Sequence, residues 1–324
     1  MTSEKEQQEK TRLHPRNKNR DRYDLEALVI SNPELKDLIM TNRFGIESID
    51  FSDPQAVKTL NKALLNHYYG IENWSFPDEN LCPAIPGRAD YLHYMADLLA
   101  EDNLGKPPIG DKITCLDVGM GASCIYPLIG IVEYGWKFIG SEIDQNSMDS
   151  AQKIIDSNPL IKGKVECRLQ KNANSVFKGI LSKEDKIDIT ICNPPFHASM
   201  EDAQRGTLRK TKNLTGKIVK NPVLNFSGIS HEIICEGGEY RFIETMIKES
   251  EQFAKNCFWF STLVSKQSHL DNIHSLLEIS GAYQFKAIPM GTGNKTSRIL
   301  VWSFLSSEER KEWRKLRWNT NDIV

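Results

Sequence analysis

An apolar run in this chain ends at a double proline, and that junction limits the folds open to it. Residues 187–192 have a strand-like composition, and Asn193-Pro194-Pro195-Phe196 follows at once. Two prolines forbid helix continuation and remove two backbone donors, so the chain must leave the strand in a rigid turn. The turn presents an Asn amide, bare carbonyl oxygens and an aromatic ring. That set suits a planar group bearing an amino nitrogen. The Asn193 oxygen and a proline carbonyl can accept its two N–H bonds while Phe196 stacks on the ring face. Holding both hydrogens leaves the nitrogen lone pair free to attack a methyl donor, which is catalysis by position and electrostatics. Asn193, Pro194, Pro195 and Phe196 are the candidate catalytic residues, although an isolated tetrapeptide of this kind would equally serve as a turn with a buried Phe.

Six further strand-like stretches accompany this one, at residues 113–118, 136–143, 165–169, 258–264, 283–289 and 299–305. Most alternate with helical spacing, the mark of a parallel sheet crossed by helices. The last two are joined by Gly291-Thr292-Gly293-Asn294-Lys295 and read as a hairpin, so the sheet is expected to end in one antiparallel strand. This α/β pattern of seven strands with a terminal hairpin resembles the class I, Rossmann-like methyltransferases; a plain dinucleotide-binding dehydrogenase would lack the hairpin. Upstream, residues 23–69 hold two segments of helical spacing, the second opening at Ser52-Asp53-Pro54 and stopping at Gly70. Residues 71–87 read as a structured loop, 88–99 as a third helix and 308–318 as a closing one. The expected division is a small helical N-terminal extension over 1–107 and a methyltransferase domain over 108–324. The first ten residues are polar after Met1 and are expected to be disordered without a partner.

A cofactor crevice can be traced through this pattern. Leu116-Asp117-Val118-Gly119-Met120-Gly121-Ala122-Ser123 follows the first strand of the alternating series and opens a helix. Glycines there let backbone approach a ligand at the sheet's carboxyl edge, and the helix start offers unpaired N–H groups. No third glycine completes a pyrophosphate fingerprint. Glu142 ends the next strand, twenty-five residues beyond Asp117, where a carboxylate can accept two bonds from ribose hydroxyls. The Gly-rich turn, the acidic strand end and the Asn-Pro-Pro-Phe turn together suit S-adenosylmethionine and methyl transfer. Arg88, in Pro86-Gly87-Arg88-Ala89-Asp90, could pair with the carboxylate of the methionine part; a surface salt bridge at a helix start explains it equally well. Asn172, just past the third strand, stands where an adenine contact would be useful.

Composition narrows the setting. Hydrophobic residues at 40% and charged residues at 26% of 324 are ordinary for a soluble globular chain. There is no apolar run of about 18 residues, and the N-terminus is charged rather than signal-like, so a cytoplasmic protein is expected. Seven scattered cysteines without a Cys-x-x-Cys spacing read as reduced thiols, with no metal site. A net charge of −2 argues against a uniformly basic binder, yet the charge is segregated. Residues 205–220 carry Arg205, Arg209, Lys210, Lys212, Lys217 and Lys220 with no acid, and 12–22 carry Arg12, Arg16, Lys18, Arg20 and Arg22 against Asp21 alone. A polyanion would exploit both patches. The expected phosphate contacts are a mobile clamp bearing Arg205, Arg209, Lys210 and Lys212, and a second arm of Arg12, His14, Arg16 and Lys18. His197 adjoins the turn and could act as a base, but reads better as a packing residue.

The quoted stretches, with Leu13-His14-Pro15-Arg16-Asn17, Tyr68-Tyr69-Gly70-Ile71, Gly119-Met120-Gly121-Ala122-Ser123-Cys124-Ile125-Tyr126-Pro127, Asn193-Pro194-Pro195-Phe196-His197-Ala198-Ser199, Cys235-Glu236-Gly237-Gly238-Glu239 and Thr262-Leu263-Val264-Ser265-Lys266, carry a resemblance. The chain resembles the ribosomal RNA large subunit methyltransferase F family of 23S rRNA adenine-N6 methyltransferases over nearly its whole length. It is more distantly similar to the eukaryotic methyltransferase-like 16 RNA adenine methylases. The resemblance implies that S-adenosylmethionine meets Arg88 and Ser123 at its methionine part, Gly119 at its backbone, Glu142 at its ribose and Asn172 at its adenine, with Asn193 bordering cofactor and target base. Asp117 and Gly121 complete the set read from the crevice. The implied partner is 23S rRNA, free or in an assembly intermediate, bound by a monomer. An adenine in a duplex hides its amino group, so the target must be unpaired or flipped. Met120 departs from the usual Thr or Ala between the glycines, a change not expected to abolish binding, since its side chain can point away. Read from residues alone, a guanine 2-amino group remains open as the acceptor. A protein glutamine fits less well, because its methylases usually carry Tyr at the place of Phe196. A non-catalytic RNA-binding module would be expected to have lost Glu142 and Asn193.

Overall fold

The computed structural model describes residues 13–42, 44–199, 201, 233–292 and 295–318. Arg12, Arg205, Arg209, Lys210 and Lys212 lie outside these, as do the expectations of a disordered start and a mobile clamp. The described chain opens with helix α1 (Leu25–Ser31), N-capped by Asp24, whose carboxylate accepts the Ala27 N–H at 3.0 Å. A 3-10 turn (Pro33–Leu38) leads into a small hairpin of β1 (Ile39–Thr41) and β2 (Glu47–Ile49). Sequence reading anticipates only helices here, because three-residue strands carry too little alternation to register. Helix α2 (Pro54–Tyr69) runs from the Asp53 cap to Gly70, whose φ of 65° ends it as expected. Helix α3 (Ile85–Glu101) begins before Arg88, because Pro86 sits in its first turn, where a missing N–H leaves nothing unpaired.

Strand and helix then alternate as β3 (Thr114–Val118), α4 (Ile125–Tyr134), β4 (Lys137–Glu142), α5 (Gln145–Ser157), β5 (Val165–Leu169) and β6 (Ile187–Cys192). Helix α6 (Gly238–Ser250), β7 (Cys257–Val264), α7 (Leu270–Ile279), β8 (Gln284–Thr292), β9 (Lys295–Ser303) and α8 (Ser307–Arg317) complete the described elements. The seven strands from β3 onward form one sheet in the order β5-β4-β3-β6-β7-β9-β8. Strands β3 to β7 pair in parallel, and β9 is antiparallel to both its neighbours. Every residue of β6 and β7 is buried, as central strands covered on both faces must be.

One expectation is corrected. The antiparallel strand is not at the edge: β9 is inserted beside β7, and the edge is β8, which runs with the parallel strands. Burial explains the choice. Leu300, Val301 and Trp302 of β9 are fully buried, whereas β8 is largely half-buried and contains Pro289, which has no N–H for a second neighbour. The core also crosses the expected boundary after residue 107. Leu64, Tyr91 and Leu92 lie in one hydrophobic cluster with Ile129, Trp136 and Phe138.

At the amino edge of the sheet, Asp188 fastens α8. It is 0% exposed, and its carboxylate accepts from the Thr114 N–H, the indole N–H groups of Trp313 and Trp318, and the Arg317 guanidinium, at 2.6–3.2 Å. Removing the carboxylate would leave a half-buried cation without its counter-charge and strand three further donors. We expect Asp188→Ala to lose about 3–5 kcal/mol of stability, by analogy with breaking a buried ion pair. A urea melt would show it as a lower midpoint with an unchanged slope; an unchanged midpoint would mean that this anchor is not needed.

Candidate active site

The carboxyl ends of β3, β4 and β6 meet where the strand order turns back on itself, which is where an open α/β sheet leaves a crevice. After β3 the chain turns through Gly119 and Gly121, at φ 71° and 70°. A side chain at Gly119 would meet nothing within 4 Å, so what requires glycine there is the backbone angle, and the space beside it is open to a ligand. The turn's third special position is Cys124, in the left-handed region at φ 52° as the N-cap of α4. It occupies the place where a glycine would be sought, and sequence inspection passes over it because Cys carries no conformational signal.

Glu142 holds the turn. It is 5% exposed, its Oε2 accepts the Gly121 N–H at 2.8 Å, and its Oε1 accepts those of Ile143 (2.7 Å) and Asp144 (3.1 Å). Met120 is turned into the sheet, as the Gly-Met-Gly reading allows. A Cβ at Gly140 would stand 2.3 Å from the Met120 sulfur, so Gly140 of β4 makes the room, and Cys124 Sγ donates to that sulfur at 3.5 Å. Ser123 is 6% exposed, and its carbonyl accepts the Trp74 indole N–H at 2.9 Å.

Asp117 is the electrostatic oddity of the site. It is fully buried, and among the described residues neither carboxylate oxygen has a hydrogen-bond partner. Burial pushes its pKa up to about 8, with Arg88 pulling it back and Glu142 adding to the rise. Asn193 Oδ1 is likewise buried without a partner among the described residues. Arg88, in the first turn of α3, donates to the Tyr126 hydroxyl at 3.1 Å and lies over that ring at 5.5 Å. Arg88, Asn193, Phe196, Val264 and Ser265 together line a cavity of about 170 Å³. Two sequence-distant candidates, Arg88 and Asn193, are thus brought to one space. A ligand entering this crevice must bring N–H or O–H donors for Asp117 and Asn193.

Other candidates are placed differently. Asn172 is exposed at the carboxyl edge past β5, and its side chain serves its own turn, accepting the Asn174 N–H at 3.0 Å and donating to Ser175 Oγ at 3.1 Å. His14 is corrected as a phosphate contact. It is 5% exposed, its N–H donates to Asp90 at 3.0 Å, and its ring pairs with Asp97 at 2.8 Å, both on α3. Arg16 pairs with Asp97 and Lys18 with Glu133, each at 2.7 Å, with side chains 39% exposed. The His197 backbone pairs on both sides, its N–H to the Ile233 carbonyl and its carbonyl to the Cys235 N–H, both at 3.0 Å. This ties the chain after the Asn-Pro-Pro-Phe turn to the chain before α6. Sequence reading assigns no task to Glu239. Its carboxylate is 2% exposed, accepts the Ser265 N–H at 2.7 Å and pairs with His269 at 3.1 Å, and so fixes one wall of the cavity. The repeated acid after two glycines was its only signal.

The sheet order with an inserted antiparallel strand, the glycine turn, the acidic strand end and the Asn-Pro-Pro-Phe turn define a class I methyltransferase. Residues 7–306 match the model of a family described as RNA methyltransferase, Methyltransf_10, and the chain belongs to that family. It is 50% identical over 309 residues to ribosomal RNA large subunit methyltransferase F of Cytophaga hutchinsonii, covering 95% of this chain and 96% of that one. To the protein of the same name from Photobacterium profundum it is 47% identical over 337 residues, covering 98% and 100%. Among solved structures, the hMettl16 catalytic domain in complex with a MAT2A 3′UTR hairpin superposes with a TM-score of 0.76 at 29% identity, covering 91% of this chain and 96% of that one. The N-terminal domain of human METTL16 in complex with SAH gives 0.70 at 28%, covering 91% and 99%. Among the described residues no helix is long and apolar enough to cross a membrane.

The Asp117 environment fixes a pH trend for the ligand-free protein. Between its ordinary pKa near 4 and the folded value of about 8, the folded chain holds a proton that the unfolded chain has released. Stability contributed at this site therefore falls as pH rises through that window. Asp117→Asn removes the dependence. Melting temperatures at pH 5 and pH 8 should show the variant gaining on the wild type at the higher pH; parallel curves would mean that Asp117 titrates normally.

Proposed function

We propose that the protein transfers a methyl group from S-adenosylmethionine to the 6-amino nitrogen of a specific unpaired adenine in 23S rRNA. The observation that carries this reading is the Asn193 Oδ1, buried and without a partner among the described residues, in a cavity shared with Phe196 and Arg88. It is the acceptor an exocyclic amine needs, with a ring beside it. The names of the relatives at about half identity supply the class of RNA.

The residues present suit the cofactor. S-adenosylmethionine offers an ammonium for the unpaired Asp117 oxygens, a carboxylate for Arg88 and a ribose hydroxyl for the remaining acceptor capacity of Glu142. Gly119 and Ser123 would border its methionine part, Gly121 the turn around it, and Asn172 its adenine end. Once bound, it supplies an electrophilic methyl group. The protein's share is placement. Asn193 Oδ1 and the Pro194 carbonyl accept the two amino hydrogens, Phe196 stacks on the base, and the nitrogen lone pair is left facing the donor. Pro195 stiffens the turn. The methylated amine is acidic enough to release its surplus proton to water, so no dedicated base is required.

Residues 1–107 would act as an RNA-contacting extension of the 108–324 catalytic domain. Arg12, Arg16, Lys18, Arg205, Arg209, Lys210 and Lys212 would meet phosphates, and a monomer would act in the cytoplasm on free rRNA or an assembly intermediate. The test is transfer of labelled methyl groups to total RNA followed by nucleoside analysis, with Asn193→Ala alongside. Label in N6-methyladenosine of 23S rRNA, reduced by about a hundredfold or more in the variant, is the expected result. Label in guanosine would overturn the target; no label in RNA with the cofactor bound would overturn the substrate class.

A further inference from the structure

The end of β6, from which Asn193 projects, is held unequally by its two neighbours. Toward β3 the parallel ladder runs to the last residue, Val118 opposite Cys192. Toward β7 it pairs only at Ile187 with Cys257 and Ile189 with Trp259. Beyond that point hydroxyls stand between the strands. The Ser261 N–H goes to Thr190 Oγ1 at 2.7 Å, and Ser261 Oγ donates to the Thr190 carbonyl. The Cys192 N–H, directly before Asn193, goes to the hydroxyl of Tyr91 at 3.4 Å, and that hydroxyl is 2.8 Å from Ser261 Oγ.

Each hydroxyl has one hydrogen, and this assigns the direction of the chain. Ser261 spends its hydrogen on the Thr190 carbonyl, so Tyr91 donates to Ser261 and accepts from Cys192. The order is Cys192 N–H, Tyr91 O–H, Ser261 O–H, Thr190 carbonyl. Tyr91 is 0% exposed and belongs to α3, three residues after Arg88. Its ring meets that of Tyr126 edge-on at 5.6 Å, and the Tyr126 hydroxyl takes the Arg88 hydrogen bond. One helix therefore reaches both halves of the site.

We propose that Tyr91 is a positioning residue for methyl transfer, its hydroxyl taking the place of a β6–β7 ladder bond so that α3 sets the Asn193 turn in register with Arg88. The inference rests on the function proposed above. A buried phenol is usually a core residue that found a partner; here the partner is the last amide before the catalytic Asn, at the point where the ladder is missing.

The test is Tyr91→Phe, which keeps the ring and removes only the oxygen, compared with the wild type by two measurements. Single-turnover methyl transfer at saturating RNA and cofactor should slow by about tenfold or more, because small misplacements of reacting groups are costly. The dissociation constants for S-adenosylhomocysteine and RNA should stay within about twofold, a split that general destabilisation would not produce. Amide hydrogen exchange should quicken at Cys192 while Ile189 and Ile191 stay protected. Ser261→Ala, which breaks the same chain one link further on, should give a smaller effect of the same kind. An unchanged turnover, or a loss of cofactor affinity matching the loss of rate, would overturn the proposal. If the wild type methylates no RNA, the proposed function falls, and exchange at Cys192 still decides this inference: equal exchange in wild type and variant overturns it.

Discussion

The crevice depends on what one buried carboxylate does with its lone pairs. Glu142 takes three backbone N–H groups, one from the turn after β3 and two from the start of the segment that leads into α5. A carboxylate has about four such sites, so most of its capacity goes to holding two strand ends in register. The remainder faces the crevice. The group suited to bind a ribose is therefore also the group that shapes the site around it, and side-chain freedom has been spent before any ligand arrives. Asp117, one strand over, is the opposite case: a carboxyl group with neither oxygen partnered, costly to ionise until a cation joins it.

The N-terminal extension is part of the same device. His14 and Asn17 converge on Asp90, and His14 and Arg16 on Asp97, so the segment around residues 14–17 is laced to α3. Helix α3 carries Arg88 into the cavity and Tyr91 to the end of β6. Orienting Arg88 requires the helix to be held along its length, and the methyltransferase core alone covers only one side of it. This gives a physical reason for the Leu-His-Pro-Arg-Asn stretch that does not depend on contact with RNA.

Much of this was legible in the chain. The strands at 165–169 and 187–192 form as read, because period and composition agree there and both ends carry punctuation. The Gly-x-Gly turn, Glu142 and the Asn-Pro-Pro-Phe turn were legible because each marks the end of a strand, and parallel strands bring their ends to one edge. What was missed lacks a local signature. Cys124 adopts a left-handed angle without being Gly or Asn. The β1–β2 hairpin is too short for alternation to emerge. The inside position of β9 follows from which arm buries Trp302 and which carries Pro289, a comparison between strands rather than a property of either. His14 looked basic and accessible, and only packing reveals that its donors are used internally.

By itself the sequence determined the class of the fold and the chemistry available at its edge, since glycine angles, proline turns and acidic strand ends are constraints that each residue carries with it. Tertiary structure alone decided which of those groups share a space. Arg88 and Asn193 stand more than a hundred residues apart, and the ladder between β6 and β7 yields to hydroxyls from Tyr91, Thr190 and Ser261. The reason is physical. Local preference acts through bonds near in the chain, whereas burial and hydrogen-bond satisfaction are settled among whatever groups the packed core brings together, and no residue's own neighbours in sequence disclose them.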